Sequence, residues 1–402
     1  MASIVIAPDS FKGTIDAAEA AAAIAAGWAS VRPGDELHLL PQADGGEGTL
    51  DAIAAASPGA VVRDAGLVTG PDGAPVRAHW LALPDGAAVV ELAVSSGITL
   101  MPALDALGAT TRGLGEVIAS AIADGARELV VAAGGSASTD GATGALSALG
   151  ARFLDAAGRE LPDGGGALAR LASIDVSGLV AAPPARVLSD VTAPLTGPTG
   201  AAAVFGPQKG ATPDDVAALD AALGRLAEVA ARTPGLHGTR GIGRDEGGVR
   251  EATLRSADNP PLDQAIDERT PGGGSAGGTG FGLAAFLGAR IEPGAAAIAE
   301  LTGLSAAIGA ADLVVTGEGR YDSQSSTGKV VGHAIAASRT AGRPIAVVCG
   351  AIGAGAALAP ADGGPDELVA LADLAGGAEP AIADPARWLR DAGARLAMAF
   401  SG

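Results

Sequence analysis

A single cysteine, Cys349, leaves the 402-residue chain no partner for an intrachain disulfide, which fits a reducing compartment. Cys349 ends the apolar run IAVV and reads as a buried structural thiol. No apolar run approaches the ~20 residues of a membrane-spanning helix. The N-terminal MASIVIAPDS turns polar at Asp9 without a basic leader, so a soluble, cytoplasmic protein with no membrane partner is expected. The four histidines, His38, His79, His237 and His333, show no ligand spacing, so neither a zinc site nor a Ser-His-Asp triad is proposed, and the metal ligands stay unknown. Positive charge is scarce: 26 Lys and Arg stand against 45 Asp and Glu, a net charge of −19 that argues against nucleic acid as a partner. An anionic substrate must then be drawn to local cationic spots. Aromatic residues are only 2%, yet 48% of the chain is hydrophobic, so the cores must be built from small and branched aliphatic side chains. The length suits two or three domains.

What is there in place of ordinary lysine usage is informative. Only three of the 26 basic residues are lysines, Lys12, Lys209 and Lys329, and each adjoins a glycine: Gly13, Gly210 and Gly328. A compact ammonium beside a residue that permits close approach suits phosphate contact better than an arginine fork does, and three unremarkable solvent lysines are the competing reading. Lys209 closes the stretch Ser189 to Gly210, SDVTAPLTGPTGAAAVFGPQKG, in which prolines and glycines keep the backbone out of helix and strand. That stretch presents an isolated carboxylate, Asp190, at the end of an apolar run. A held carboxylate and a cation suit phosphoryl transfer, with Asp190 as general base and Lys209 as a catalytic cation. A turn-capping role for Asp190 is the plainer alternative.

Taken in order, Ser3 to Ala7 is a wholly apolar strand candidate of the kind buried on both faces of a parallel sheet. Asp16 and Glu19 open an alanine-rich helix ending near Gly27, and a second strand runs from Leu37 to Leu40. Both strands of this βαβ unit lead into polar glycine-containing loops that carry Asp9, Ser10 and Lys12, and Asp44 and Glu47. Ligands of open α/β sheets bind at such ends. Val61 to Val68, Val76 to Leu83 and Ala87 to Val94, separated by Gly-Pro-Asp-Gly and Pro-Asp-Gly turns, predict an antiparallel meander. A buried strand, Glu128 to Ala133, runs into Gly134-Gly135-Ser136, which is expected to open a helix whose N–H groups could cradle an anion. Twelve charged residues between His237 and Gly274 predict an exposed, partly mobile insertion. Gly272 to Gly282 matches GxGxxG but follows no strand, so it suits close approach to a nucleotide, or a hinge, rather than dinucleotide binding. Strands return at Asp312 to Thr316, Ile345 to Val348 and Glu367 to Leu371. The first leads into GEGRYDSQSSTGK, with Gly317, Glu318, Arg320, Asp322 and Lys329, which is no Walker A loop because Ser323 and Val330 occupy positions that motif reserves. The fold class is α/β: a discontinuous Rossmann-like parallel domain from 1–62 and 283–402, with an α+β domain, 63–282, inserted into it and loops of the two facing across a cleft.

These blocks together resemble the bacterial glycerate kinases along nearly the full length. The matching stretches are IAPDSFKG, ADGGEGT, ELAVSSG, TTRGLGE, GGSASTDG, SDVTAPLTGPTGA, FGPQKGAT, AGGTG, TGEGRYDSQS and the final Gly328-Lys329. The resemblance implies a two-domain α/β kinase, dependent on ATP and Mg2+, that phosphorylates D-glycerate to 2-phosphoglycerate. It places Asp190 and Lys209 at the catalytic centre, with Asp9, Ser10, Lys12, Asp44, Glu47, Gly134, Gly135, Ser136, Gly317, Glu318, Arg320, Asp322 and Lys329 around the substrate or phosphates. Two departures bear on the substrate: Ala193-Pro194-Leu195 stands where the family reads Asn-Pro-Leu, and Ser138-Thr139-Asp140 replaces Ala-Asn-Asp. The charged segment after His237 is also longer than usual for the family. A kinase of a related hydroxy acid, and a catalytically silent binding module, are the alternatives, and a homo-oligomer is compatible with either.

Overall fold

The structure is a computed structural model that describes residues 1–236, 266–325 and 329–400. The chain forms two compact units: Met1–Asp44, Gly48–Pro58 and Pro293–Gly402 make the first, and Gly45–Glu47 with Gly59–Glu292 the second.

The first unit holds five parallel strands: β1 (Ser3–Pro8), β2 (Glu36–Leu39), β11 (Leu313–Tyr321), β12 (Ile345–Ile352) and β13 (Glu367–Ala370), in the order β13-β12-β11-β1-β2. Its central strand shows why SIVIA is apolar throughout. Ile4 and Ile6 pack with Trp28 and Leu389 on one face, whereas Val5 and Ala7 pack with Ile308, Val331 and Ile335 on the other. Read from β2, the strand order is that of a doubly wound sheet, whose ligand crevice opens between the first strand and its later neighbour, here β1 and β11. β11 and β12 run past their predicted ends, because the pairs Arg320 with Ala351 and Tyr321 with Ile352 continue the ladder.

The first helix, Ala17–Val31, is capped by Asp16, whose carboxylate accepts the Glu19 N–H at 2.7 Å. It does not end near Gly27 as predicted. Gly27 lies inside it because the C-terminal helix Pro385–Ala399 crosses there: a Cβ on Gly27 would sit 1.9 Å from the Arg390 carbonyl oxygen, and one on Gly393 would sit 2.1 Å from that of Ile24. The two glycines are what allow the helix backbones to touch.

The second unit carries a mixed six-stranded sheet, β10-β9-β6-β5-β4-β3, and a small hairpin of β7 (Arg152–Leu154) and β8 (Ser173–Asp175). β3 (Val61–Thr69), β4 (Pro75–Ala82) and β5 (Ala87–Glu91) form an antiparallel meander. β5, β6 (Glu128–Ala132), β9 (Ala185–Leu188) and β10 (Arg290–Glu292) pair in parallel, so the meander is only half of the sheet. The third meander strand stops three residues short of Val94, since Leu92–Ser96 turns into a helix. The units divide at 58/59 and 292/293 rather than at 62/63 and 282/283, because Arg290–Glu292 pairs with Arg186–Leu188. Of the charged segment from His237 to Gly274, residues 237–265 lie outside the described ones. Its described remainder is exposed only in part: Arg269 and Pro271 are, whereas Ile266 is buried in the second unit's core and Gly272 to Gly274 are buried as well.

Replacing Gly27 by valine should destabilise the protein by roughly 2–4 kcal/mol in urea unfolding, because backbone on the partner helix cannot yield as a side chain would. A loss under about 0.5 kcal/mol would show that the helix crossing adapts.

Candidate active site

In the first unit the carboxyl ends of β1, β2 and β11 converge on one pocket of about 400 Å³. β1 ends at Pro8, and the Asp9 N–H donates to the Gly317 carbonyl at 2.8 Å, extending the β1–β11 pairing into the loop. Gly317 is required there, since a Cβ would lie 2.3 Å from the Val348 carbonyl oxygen. The next residues fold back tightly: the Phe11 N–H donates to the Ile15 carbonyl and Gly13 takes φ 78°, which leaves Phe11 buried and Lys12 exposed at the pocket. Asp9, Ser10, Lys12, Asp44, Glu318, Arg320, Asp322 and Lys329, all read as site residues from the sequence, line this pocket. Arg320 is exposed and faces Asp322 at 3.5 Å.

The charges are crowded. Desolvation, then the Asp44 carboxylate, pushes Asp9 up to about 7, with a smaller push from Glu318 and an opposing pull from Lys12. Burial also raises Glu318, against a hydrogen bond from Ser325 and the ammonium groups of Lys329 and Lys12. Lys329 lines the pocket as the N-cap residue of the helix Val330–Thr340, so an ammonium and the start of a helix lie together there.

The other candidates belong to the second unit. Asp190 follows β9 in a loop pinned through its backbone: the Ser189 N–H donates to the Glu292 carbonyl at 2.9 Å, the Leu195 N–H to that of Glu268 at 3.0 Å, and the Gly274 N–H to that of Ala193 at 2.9 Å. Asp190 is half-buried, and its Oδ2 is closed off from solvent. Lys209 is only 3% exposed. Its Nζ donates to the Ser138 carbonyl, and burial, opposed by the Asp140 charge, lowers its pKa to about 8. Asp140 is itself fully enclosed and raised by burial, with Oδ2 accepting the Thr111 N–H at 2.9 Å and hydroxyl at 2.8 Å. Glu47 is exposed. Gly134, Gly135 and Ser136 do not open a helix. They lie in a loop, where Gly134 donates to the Gly45 carbonyl at 2.9 Å, and the following helix starts only at Thr143.

The glycine-rich run 272–282 approaches backbone closely, but the backbone belongs to the same unit. Ala276, Gly277 and Gly278 take left-handed φ values of 50°, 69° and 91°, and a Cβ on Gly277 would lie 2.1 Å from the Ser138 carbonyl oxygen. The run thus braces the loop that Lys209 holds. Sequence reasoning missed the apolar side of the first unit's pocket, Leu371, Ala378, Ala381, Ile382 and Pro385, whose only signal is the i, i+3, i+4, i+7 spacing of its last four members.

Known proteins agree with this architecture. Residues 4–401 match the Glycerate kinase family. A glycerate kinase from Bacillus subtilis (strain 168) is 42% identical over 355 residues, covering 87% of this chain and 85% of the relative. A glycerate 2-kinase from Escherichia coli (strain K12) is 42% identical over 334 residues, covering 81% and 79%. A crystal structure described as glycerate kinase 2 from Salmonella typhimurium LT2 superposes with a TM-score of 0.79 at 36% identity, over 99% of this chain and 98% of that one. With a doubly wound parallel sheet, an inserted mixed-sheet unit and relatives of this closeness over most of its length, the chain belongs to the glycerate kinase family.

Proposed function

We propose that this protein transfers the γ-phosphoryl group of ATP to D-glycerate, giving 2-phosphoglycerate. The observation that carries the reading is the first unit's pocket, where two of the chain's three lysines and the start of a helix meet in a strongly acidic protein. Lys12, Lys329 and the N–H groups after Lys329 bind the phosphates, and Ser10 adds a hydroxyl donor. The residues also fit Mg2+. Asp9 is pushed up first by burial and then by the Asp44 carboxylate, with Glu318 adding to it, and a divalent cation would neutralise that negative charge. Among the described residues no three His, Cys, Asp or Glu side chains group to enclose an ion. A cation held through one or two of these carboxylates, water and the nucleotide's phosphates would supply charge neutralisation during transfer.

Asp190 takes the proton from the attacking hydroxyl. Its loop is fixed by three backbone hydrogen bonds, so the carboxylate is presented rather than mobile. Ala193, in place of the family's usual Asn, keeps a backbone tie in that loop, its carbonyl receiving the Gly274 N–H. The relatives named glycerate kinase and glycerate 2-kinase make D-glycerate the best-supported acceptor. Lys209 acts as a positioning residue: its buried ammonium holds the Ser138 carbonyl and balances Asp140.

A coupled assay should register ADP release from ATP only when D-glycerate is added, with 2-phosphoglycerate identified by phosphorus NMR. Hydrolysis or silence with D-glycerate would point to another acceptor or a binding module. Asp190→Asn should lower kcat by about 10²-fold or more with KM for ATP within about twofold. A kcat within about threefold of wild type, under ~0.7 kcal/mol of barrier, would remove Asp190 from the role of base.

Lys209 also generates a pH dependence. Its folded pKa, about 8, lies below the ordinary 10.5, so between those values the unfolded chain binds the extra proton and stability rises with pH. Below about 8 both states are protonated and the contribution is constant. Relative to Lys209→Met, the wild type should gain unfolding free energy from pH 8 towards 10.5 and run parallel to the variant below pH 8. Parallel curves throughout would mean that the ammonium is not desolvated.

A further inference from the structure

The pocket of the first unit extends well beyond its charged groups. Its lining follows the strand order: Asp44 lies beyond β2, Asp9 beyond β1, Glu318 on β11, Gly350 and Ala351 on β12, and Leu371 directly after β13. With neighbouring strands ~4.8 Å apart, four spacings carry the lining across about 19 Å. Every charged side chain of the pocket comes from the β2, β1 and β11 side or from the loop and helix start that follow β11. Among the described residues β12, β13 and the helices after them contribute no polar side chain of their own to the lining, and the nearest charges are Arg320, opposite Ala351, and Asp322. There Ala378, Ala381, Ile382 and Pro385 recur on one face of the short helix Ala378–Ala383 and the start of the next helix, beside Leu371. Ile382 remains 60% exposed, an apolar surface that the protein itself leaves uncovered.

A small, polar hydroxy acid has no use for such a wall, whereas a nucleotide joins a polyanion to a flat, largely apolar ring. We propose that the aliphatic face of Leu371, Ala378, Ala381, Ile382 and Pro385 seats the purine of the nucleotide, and that the enzyme therefore discriminates weakly between adenine and guanine. The triphosphate lies towards Lys12 and Lys329, and the ring lies over Ile382. An adenine-specific site would need a hydrogen-bonding group aimed at the ring edge, and no side chain of this wall carries one. Hydrogen-bonded sites reject the wrong partner by ~10⁴-fold or more, whereas aliphatic pockets reach only about 10- to 200-fold.

The inference rests on the kinase reading, yet it is tested by binding, apart from turnover. Calorimetry on the full-length protein with Mg2+ would compare ATP, GTP and inorganic tripolyphosphate. ATP should bind at least about tenfold more tightly than tripolyphosphate, and GTP within about a hundredfold of ATP. In Ile382→Asn, ATP should lose about fivefold or more while tripolyphosphate stays within about twofold, and Ile382→Met should retain the wild-type ATP affinity. Tripolyphosphate binding as tightly as ATP, an unaltered ATP affinity in Ile382→Asn, or a larger preference for ATP over GTP would each overturn the proposal. Nucleotide binding of the expected pattern without ADP release on D-glycerate would sink the acceptor assignment and leave the purine site standing.

Discussion

The parallel pairing of β1 with β11 is the constraint on which the first unit's chemistry depends. It joins residues about three hundred positions apart, Ile4 with Leu313 through Pro8 with Gly317, and it continues into the loop through the bond from the Asp9 N–H to the Gly317 carbonyl. Because both strands point the same way, both deliver their polar ends to one edge of the sheet. Lys12 and Lys329, which are remote in the chain, become neighbours of the same carboxylate, Glu318. Weakening this one ladder would scatter these lysines and the acids together.

The acidity of the chain sets the electrostatic terms of the site. With a net charge of −19, the overall field repels a nucleotide, and binding must come from a few short-range donors. The first unit's pocket concentrates two lysines where the carboxylates are already crowded, the arrangement that the proposed nucleotide site requires. Burial, and then the crowding with Asp44, has its own cost: Asp9 is held up to about 7. Lys209 shows the opposite use of an ammonium, withdrawn from solvent and committed to a carbonyl and the Asp140 charge.

Poverty in aromatic residues shapes the packing. Where few large rings fill space, elements must come close, and glycine makes the contacts possible: Gly27 against Arg390, Gly317 against Val348, Gly277 against Ser138. In each case the neighbour is backbone, which cannot move aside, so these positions tolerate no side chain. The left-handed turn at Ala276 to Gly278 belongs to the same device, letting the glycine-rich run brace the Gly134 to Gly141 loop.

Local pattern was enough to determine the parallel α/β core, the meander, the cap at Asp16 and the acids and lysines at the strand ends, because each follows from periodicity, turn chemistry or the position of a charge after an apolar run. Boundaries set by distant partners were not legible. The helix continues through Gly27 because another helix crosses there, β11 runs on to Tyr321 because β12 supplies a partner, and β10 joins the second unit because β9 does. The same holds for function. The sequence by itself singled out Lys209 as a lysine beside glycine, but only tertiary structure decided that it is buried against Ser138, while Lys12 and Lys329 are not, since burial depends on what the rest of the chain brings to each position. The apolar wall at Ile382 was invisible in an alanine-rich helix for the same reason: only the fold decides that its side chain is left uncovered beside a charged pocket.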